Sequence, residues 1–321
     1  MTTTNNIINT PSAIESTTTT PRILTGTDDF KKLLLHSDVF VDKSLLIKEI
    51  IEDSGDVVLI TRPRRWGKSL NMDMIEKFLN IEVDSQGNRL PIEQRTNHKL
   101  FSGGEIDLGL STGRTKILKK LNIAEYSSIM TEYQGQFPVI SISFKDVKGS
   151  NYQEIEDGVK EQVLRAYSRF NYLATRYLDV NNNALDAVEK EKLSSYFSTN
   201  LSLVNLKSGL RFLSELLFKH FEQKVYILID EYDTPINSSY LKFGHKSEEF
   251  EQVLELFRTM FGTVLKTNPY LEKAVLTGIL RVAKANLFGS LRVCVGKGLY
   301  TIFYQLLCIF AVNYKFMEFI W

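Results

Sequence analysis

Apolar residues are laid out along this chain in two patterns. The first is the short, dense run. Asp56-Val57-Val58-Leu59-Ile60-Thr61 is β-branched and apolar, as a strand covered on both faces requires. Phe137–Phe144 alternates apolar with small polar residues and reads as a second strand. Lys224-Val225-Tyr226-Ile227-Leu228-Ile229-Asp230 is the strongest run in the chain and ends on an acid. Lys273-Ala274-Val275-Leu276-Thr277-Gly278 is another short strand.

The second pattern has helical spacing. Thr27 is the candidate N-cap of a short helix through Asp28–Leu34, and Val39–Asp42 reads as a short extended piece. Ser44–Asp53 carries apolar residues at 45, 46, 47, 50 and 51, and Gly55 is placed to close that helix. Lys68–Asn80 aligns Leu70, Met74 and Phe78 on one face. Residues 84–135 are polar and Gly-containing, which predicts irregular chain with one or two short helices. From 152 to 223 the pattern is mostly helical around a turn at Asn181-Asn182-Asn183, and Glu248–Lys266 is helical again. Strands separated by long helical stretches predict an α/β fold: a parallel sheet flanked by helices.

Composition narrows the class. The 321 residues hold 39 Lys+Arg against 38 Asp+Glu, a net charge of +1, which argues against a nucleic-acid coat or an acidic tail protein. A hydrophobic fraction of 43% and a charged fraction of 24% are ordinary for a soluble globular chain. The two cysteines, Cys294 and Cys308, exclude a disulfide framework. His36, His98, His220 and His245 are scattered without metal-ligand spacing, which argues against a structural metal. Low cysteine usage points to an intracellular compartment, cytoplasmic or nuclear.

The ends differ from the middle. Residues 1–21 form a lead in which thirteen of the first twenty are Thr, Asn or Ser. Such a segment buries too little to offset its ordering entropy, so disorder is expected. It lacks the basic start and apolar core of a secretory signal.

The main chemical signal is Thr61-Arg62-Pro63-Arg64-Arg65-Trp66-Gly67-Lys68-Ser69. Gly67-Lys68-Ser69 matches the close of the phosphate-loop (Walker A) pattern G-x-x-x-x-G-K-[ST]. Arg62 stands where that pattern has its first Gly. The chemistry is specific. Loop and helix N–H groups wrap phosphates, a lysine reaches the outer phosphates, and a hydroxyl ligates Mg²⁺. A strand before and an amphipathic helix after support the reading. The candidate nucleotide-binding residues are Arg62, Arg64, Arg65, Trp66, Gly67, Lys68, Ser69 and Leu70. For Arg64 and Arg65 a solvated basic loop is the equal alternative.

Ile227-Leu228-Ile229-Asp230-Glu231 supplies the second half. An apolar strand ending in Asp delivers a carboxylate to the ligand-binding edge of a parallel sheet. Asp230, with Ser69, is placed to hold Mg²⁺, and Glu231 to polarise a water as general base. Asp233 reads as a turn acid before Pro235, with a supporting role beside the metal as the alternative. Thr277 either senses the terminal phosphate or water, or caps the turn at Gly278. Arg281 and Lys284 either neutralise transition-state charge or lie on a helix surface.

Together these residues resemble the AAA-ATPase-like family, whose members often carry a C-terminal PD-(D/E)XK nuclease-type domain. The resemblance covers about residues 23–290 and rests on Thr25–Leu33, Phe40–Ile47, Leu59–Asn71, Pro138–Lys148, Ile227–Ile236 and Leu271–Lys284. That family usually has Phe in place of Trp66, and it too lacks the first loop Gly. The resemblance implies a P-loop NTPase of the additional-strand, catalytic-glutamate class, with sheet order 5-1-4-3-2 and one domain over 22–290. It implies ATP and Mg²⁺ as ligands. Lys68 and Ser69 take the phosphate-loop roles, Asp230 the metal role and Glu231 the general-base role. Asp42 and Lys43 fall in a family motif, either packed near the nucleotide or in an exposed turn.

After Phe288 the resemblance stops. Residues 291–321 form a divergent apolar tail, densest over 299–314. A membrane anchor, a buried terminal helix and an end foreign to the family are the three readings; the abrupt change of composition favours the last. The expected activity is ATP hydrolysis coupled to a protein or nucleic-acid partner. The alternative is a nucleotide-gated binding module with little or no hydrolysis. A small-molecule phosphotransferase is disfavoured, because it has no use for a water-activating Glu beside the metal Asp.

Overall fold

The computed structural model describes residues 21–107, 115–198, 200–244, 246–279 and 293–295. The Thr/Asn lead, His245, Arg281, Lys284 and the apolar stretch 299–314 lie outside these residues.

In chain order the elements begin with helices α1 (Phe30–His36) and α2 (Leu45–Glu52), strand β1 (Val57–Thr61) and helix α3 (Lys68–Leu79). A short 3₁₀ turn at Ile92–Gln94 precedes α4 (Thr96–Ser102), β2 (Gly104–Asp107) and β3 (Thr115–Leu118). A second 3₁₀ turn, Asn122–Glu125, leads to α5 (Ser127–Tyr133) and β4 (Val139–Ser143). Four helices follow: α6 (Tyr152–Ser168), α7 (Asn171–Tyr177), α8 (Ala187–Ser195) and α9 (Leu203–Phe221). The described chain closes with β5 (Val225–Asp230), α10 (Thr234–Phe243), α11 (Glu248–Phe261), β6 (Leu271–Gly278) and β7 (Val293–Val295).

The main sheet has the order β4-β5-β6-β1-β7, and every neighbouring pair is parallel. Strand β6 therefore lies between β1 and β5. Side chains of a strand point alternately to its two faces, and both faces here are covered. Val57 and Leu59 of β1, Ile227 and Ile229 of β5, and Ala274 and Leu276 of β6 face one core, built with α6, α9 and α11. Val58 and Ile60, Tyr226 and Leu228, and Val275 face the other, built with α1, α2, α3 and α4. This two-sided burial is why the strands read as unbroken apolar runs.

Local chemistry moves several boundaries from those expected. Asp29, not Thr27, caps α1: its side chain accepts from Lys32 N, while Thr27 Oγ1 accepts from Asp29 N. Helix α2 ends at Asp53 rather than through Gly55, whose N–H donates to Asp53 Oδ1 at 2.8 Å. The segment expected to be irregular contains the antiparallel β2–β3 hairpin. Residues 39–42 join no sheet. The helix from Glu248 changes at Gly262 into a π-helical turn reaching Lys266.

Three contacts fasten the N-terminal helices to the rest. Asp73 of α3 accepts from Phe30 N at 2.6 Å. Asp42 accepts from Ser44 N at 2.8 Å and from Asn122 N at 2.7 Å, tying the start of α2 to the second 3₁₀ turn. Lys273 of β6, almost wholly buried, donates to the carbonyls of Ile50 at 2.8 Å, Ile51 at 3.2 Å and Asp53 at 2.6 Å. It thereby satisfies carbonyls that the end of a helix leaves without an intrahelical partner.

Candidate functional site

Sheet register sets the site. Thr61 pairs with Gly278, Ile229 with Leu276, and Ser143 with Asp230. The ends of β1, β6, β5 and β4 thus lie side by side on the C-terminal edge, where parallel sheets bind ligands.

From β1 the chain runs into the basic loop. Arg62 N donates to Gly278 O at 3.1 Å, so the loop leaves from a fixed point on β6. Arg65 has φ 65° and Gly67 φ 72°. The left-handed conformation costs Gly67 nothing, and no heavy atom lies within 4 Å of where its Cβ would be. For Arg65 the same conformation is strained, by about 1–2 kcal/mol, as happens where a backbone is held for a ligand. Helix α3 then begins at Lys68, its first N–H groups directed at the loop.

Lys68 is buried, and its ammonium is held at the base of the loop. Nζ donates to the carbonyls of Arg62 and Pro63, each at 3.2 Å, and lies 3.3 Å from Glu231 Oε1. Ser69 Oγ donates to Asp230 Oδ2 at 2.6 Å, a contact spanning 161 residues of sequence. Arg62 is half-buried and donates from Nη1 to Thr61 O at 2.8 Å. Arg64, Arg65 and Trp66 are exposed, Trp66 by 46%. Leu70 is partly buried and packs against the core between the sheet and α1–α4.

On the acid side, Asp230 closes β5 and is buried. Its Oδ1 accepts from Thr277 Oγ1. Thr277 also accepts from Glu231 N at 3.4 Å, and its carbonyl accepts from Tyr232 N at 3.0 Å. One threonine on β6 therefore engages three successive residues of the acid turn. Its hydroxyl faces Asp230 and is almost wholly buried.

Glu231 has φ 52°, a left-handed conformation for a non-glycine residue. Its Oε2 accepts from Thr234 Oγ1 at 3.1 Å. Asp233, in the turn before Pro235, is fully buried: Oδ2 accepts from Asn237 Nδ2 at 2.9 Å and from Ile279 N at 3.0 Å. It clamps the start of α10 to the end of β6.

The structure thus brings Lys68, Ser69, Asp230, Glu231 and Thr277 into one constellation, with Arg62 and Gly67 shaping the loop beside it. Thr234 and Asp233 belong to it as well. The sequence signal for Thr234 was slight: a hydroxyl three residues after the proposed base and just before Pro235, at a helix start.

The donor set suits a hard cation. Ser69 Oγ and Asp230 Oδ2 converge, and Mg²⁺ takes one or two protein oxygens with water and phosphate oxygens completing its shell. Among the described residues no cluster of three His, Cys, Asp or Glu forms a self-sufficient metal site. Also among the described residues, no helix is long and apolar enough to cross a membrane.

A family model described as a predicted AAA-ATPase matches residues 24–94 and 108–288. No curated protein and no solved structure matches the chain.

Proposed function

The chain belongs to the AAA-ATPase-like family, a family of predicted AAA-ATPases, and from that premise we propose that it binds ATP with Mg²⁺ and hydrolyses it. The observation that carries this reading is the 2.6 Å contact between Ser69 Oγ and Asp230 Oδ2. It joins the end of the phosphate-loop motif to the acid that closes β5. The position of β6 between β1 and β5 agrees with the additional-strand class of P-loop NTPases.

In this reading the loop N–H groups from Gly67 onward and Lys68 Nζ bind the phosphates. Ser69 Oγ and Asp230 hold Mg²⁺, which when bound neutralises charge developing on the phosphate oxygens. Thr277 fixes the rotamer of Asp230 and is a positioning residue. Glu231 orients water and accepts its proton on Oε1. The exposed cations Arg64 and Arg65 attract the nucleotide, and Trp66 lies beside its path. Arg281 is proposed to neutralise transition-state charge. Hydrolysis would be coupled to a protein or nucleic-acid partner.

One observation favours a second reading, a nucleotide-gated binding module. Lys68 lies 3.3 Å from Glu231, so the proposed base is engaged by the lysine rather than open to water. Phosphate release by the full chain, with and without Mg²⁺, decides between the two. Magnesium-dependent release supports the ATPase. Bound nucleotide with no release supports the module.

A further inference from the structure

Glu231 is gripped at both carboxylate oxygens by residues of different origin. Lys68 Nζ lies 3.3 Å from Oε1, and Thr234 Oγ1 donates to Oε2 at 3.1 Å. The two grips differ in permanence.

Lys68 is shared. Its ammonium also binds the carbonyls of Arg62 and Pro63, on the loop where phosphates are proposed to sit. An arriving polyphosphate competes for it with several charged oxygens and draws it from Oε1. Thr234 has no such competitor. It is the first residue of α10, and its own N–H donates to Glu231 O at 3.1 Å. The turn around it is fastened by Asp233, which accepts from Asn237 Nδ2 and Ile279 N. Hydroxyl and carboxylate are therefore held in one short turn.

Without Thr234, a carboxylate released by Lys68 has three side-chain torsions free to rotate. With it, Oε2 stays bonded and Oε1 is presented in one orientation. The left-handed backbone of Glu231, φ 52°, accompanies this geometry, since the turn must bring residues 231 and 234 face to face.

We propose that Thr234 is a positioning residue that holds the Glu231 carboxylate in its water-orienting pose once nucleotide takes Lys68 away. This rests on the ATPase reading above. No metal or phosphate contact is assigned to Thr234.

The test uses the full chain as wild type, Thr234→Val, Thr234→Ala and Thr234→Ser. Phosphate release gives kcat and KM, and titration with a non-hydrolysable ATP analogue in Mg²⁺ gives affinity. The expected result is a fall in kcat of about 5–10-fold in Thr234→Val and Thr234→Ala, the scale of one lost hydrogen bond. KM and analogue affinity stay within about twofold, since binding is not touched. Thr234→Ser, which keeps the hydroxyl, restores kcat. Wild-type kcat in the valine and alanine variants overturns the proposal, as does a loss of analogue affinity matching the loss of turnover. If the valine variant does not fold, the alanine and serine variants carry the comparison. Absence of phosphate release from the wild type overturns the ATPase reading and this inference with it. Release that is equal in wild type and variants overturns the inference alone.

Discussion

Lys68 Nζ and Glu231 Oε1 lie 3.3 Å apart, with both side chains largely shielded from solvent. The proposed phosphate-binding lysine and the proposed base are therefore paired with each other in this structure. In the proposed reading, binding exchanges this pair for a lysine–phosphate contact, which makes the affinity of the loop and the freedom of the base opposite sides of one equilibrium.

The first prediction concerns Glu231→Gln. Removing the charge leaves Lys68 free for phosphate and removes repulsion between carboxylate and nucleotide. ATP affinity should be retained or rise by about 2–5-fold, the scale of a modest ion pair. Phosphate release should fall by about 10²–10⁴-fold, the usual contribution of a general base. Calorimetric titration and a phosphate-release assay on the same preparation check both.

Lys68→Ala should weaken ATP binding by about 10–100-fold, the range for charge-assisted hydrogen bonds. It also leaves Glu231 Oε1 without its cation. Titration with a fluorescent ATP analogue measures the loss, and unchanged affinity would show that the loop is not the phosphate site.

Gly278→Ala tests the seam between β6 and the acid turn. A Cβ there would lie 2.6 Å from Asp233 Oδ1 and 2.7 Å from Tyr232 Cε1, so the backbone or these side chains must shift. Both residues are fully buried. The expected cost is about 1–3 kcal/mol in urea unfolding, as for overpacking elsewhere. Turnover should fall by more than stability explains, because the displaced turn carries Glu231.

A fourth prediction lies far from the site and concerns pH. His220 Nε2 bonds Gly87 O at 2.9 Å, and Nδ1 is buried with no hydrogen-bond partner among the described residues. Burial pushes the imidazole below its ordinary 6.5, against a raising influence from the Gly87 carbonyl and with a smaller lowering influence from Arg176. The folded state thus disfavours the proton relative to the unfolded chain. This stability is complete above pH 6.5 and is lost as pH falls through that value toward the lower folded pKa. The urea midpoint of the wild type should drop between pH 7.5 and pH 5.5 by more than that of His220→Gln. Parallel curves for the two proteins would exclude His220 as the source.

Much of the fold was legible because burial on both sheet faces leaves a local trace. Ile227, Leu228 and Ile229 are consecutive and all buried, so β5 needed no partner strand to be recognised. Lys68 and Ser69 could be singled out because the strand, glycine and helix start around them form a local pattern, which the structure reproduces as β1, Gly67 and α3. The β2–β3 hairpin was not. Its strands are four residues each and mostly exposed, with Ile117 79% exposed, so no alternation marks them. Asp233 and Thr234 were hidden for another reason. Asp233 reads as a turn acid until Ile279, 46 residues on, places an N–H against it. Thr234 reads as an ordinary helix start until Glu231 adopts its left-handed backbone, which local composition does not announce.

Lys273 bears on where this protein can be cut. Its buried ammonium donates to three carbonyls at the end of α2, and four residues further along the same strand Thr277 supports Asp230. A shorter polypeptide starting just before β1 would keep every residue of the proposed site. It would also take those three acceptors from Lys273 and uncover part of the sheet face that α1 and α2 help to bury, where Val58, Ile60 and Val275 lie. A polypeptide that keeps the site but loses α2 should therefore be less stable than one that begins upstream of Leu45.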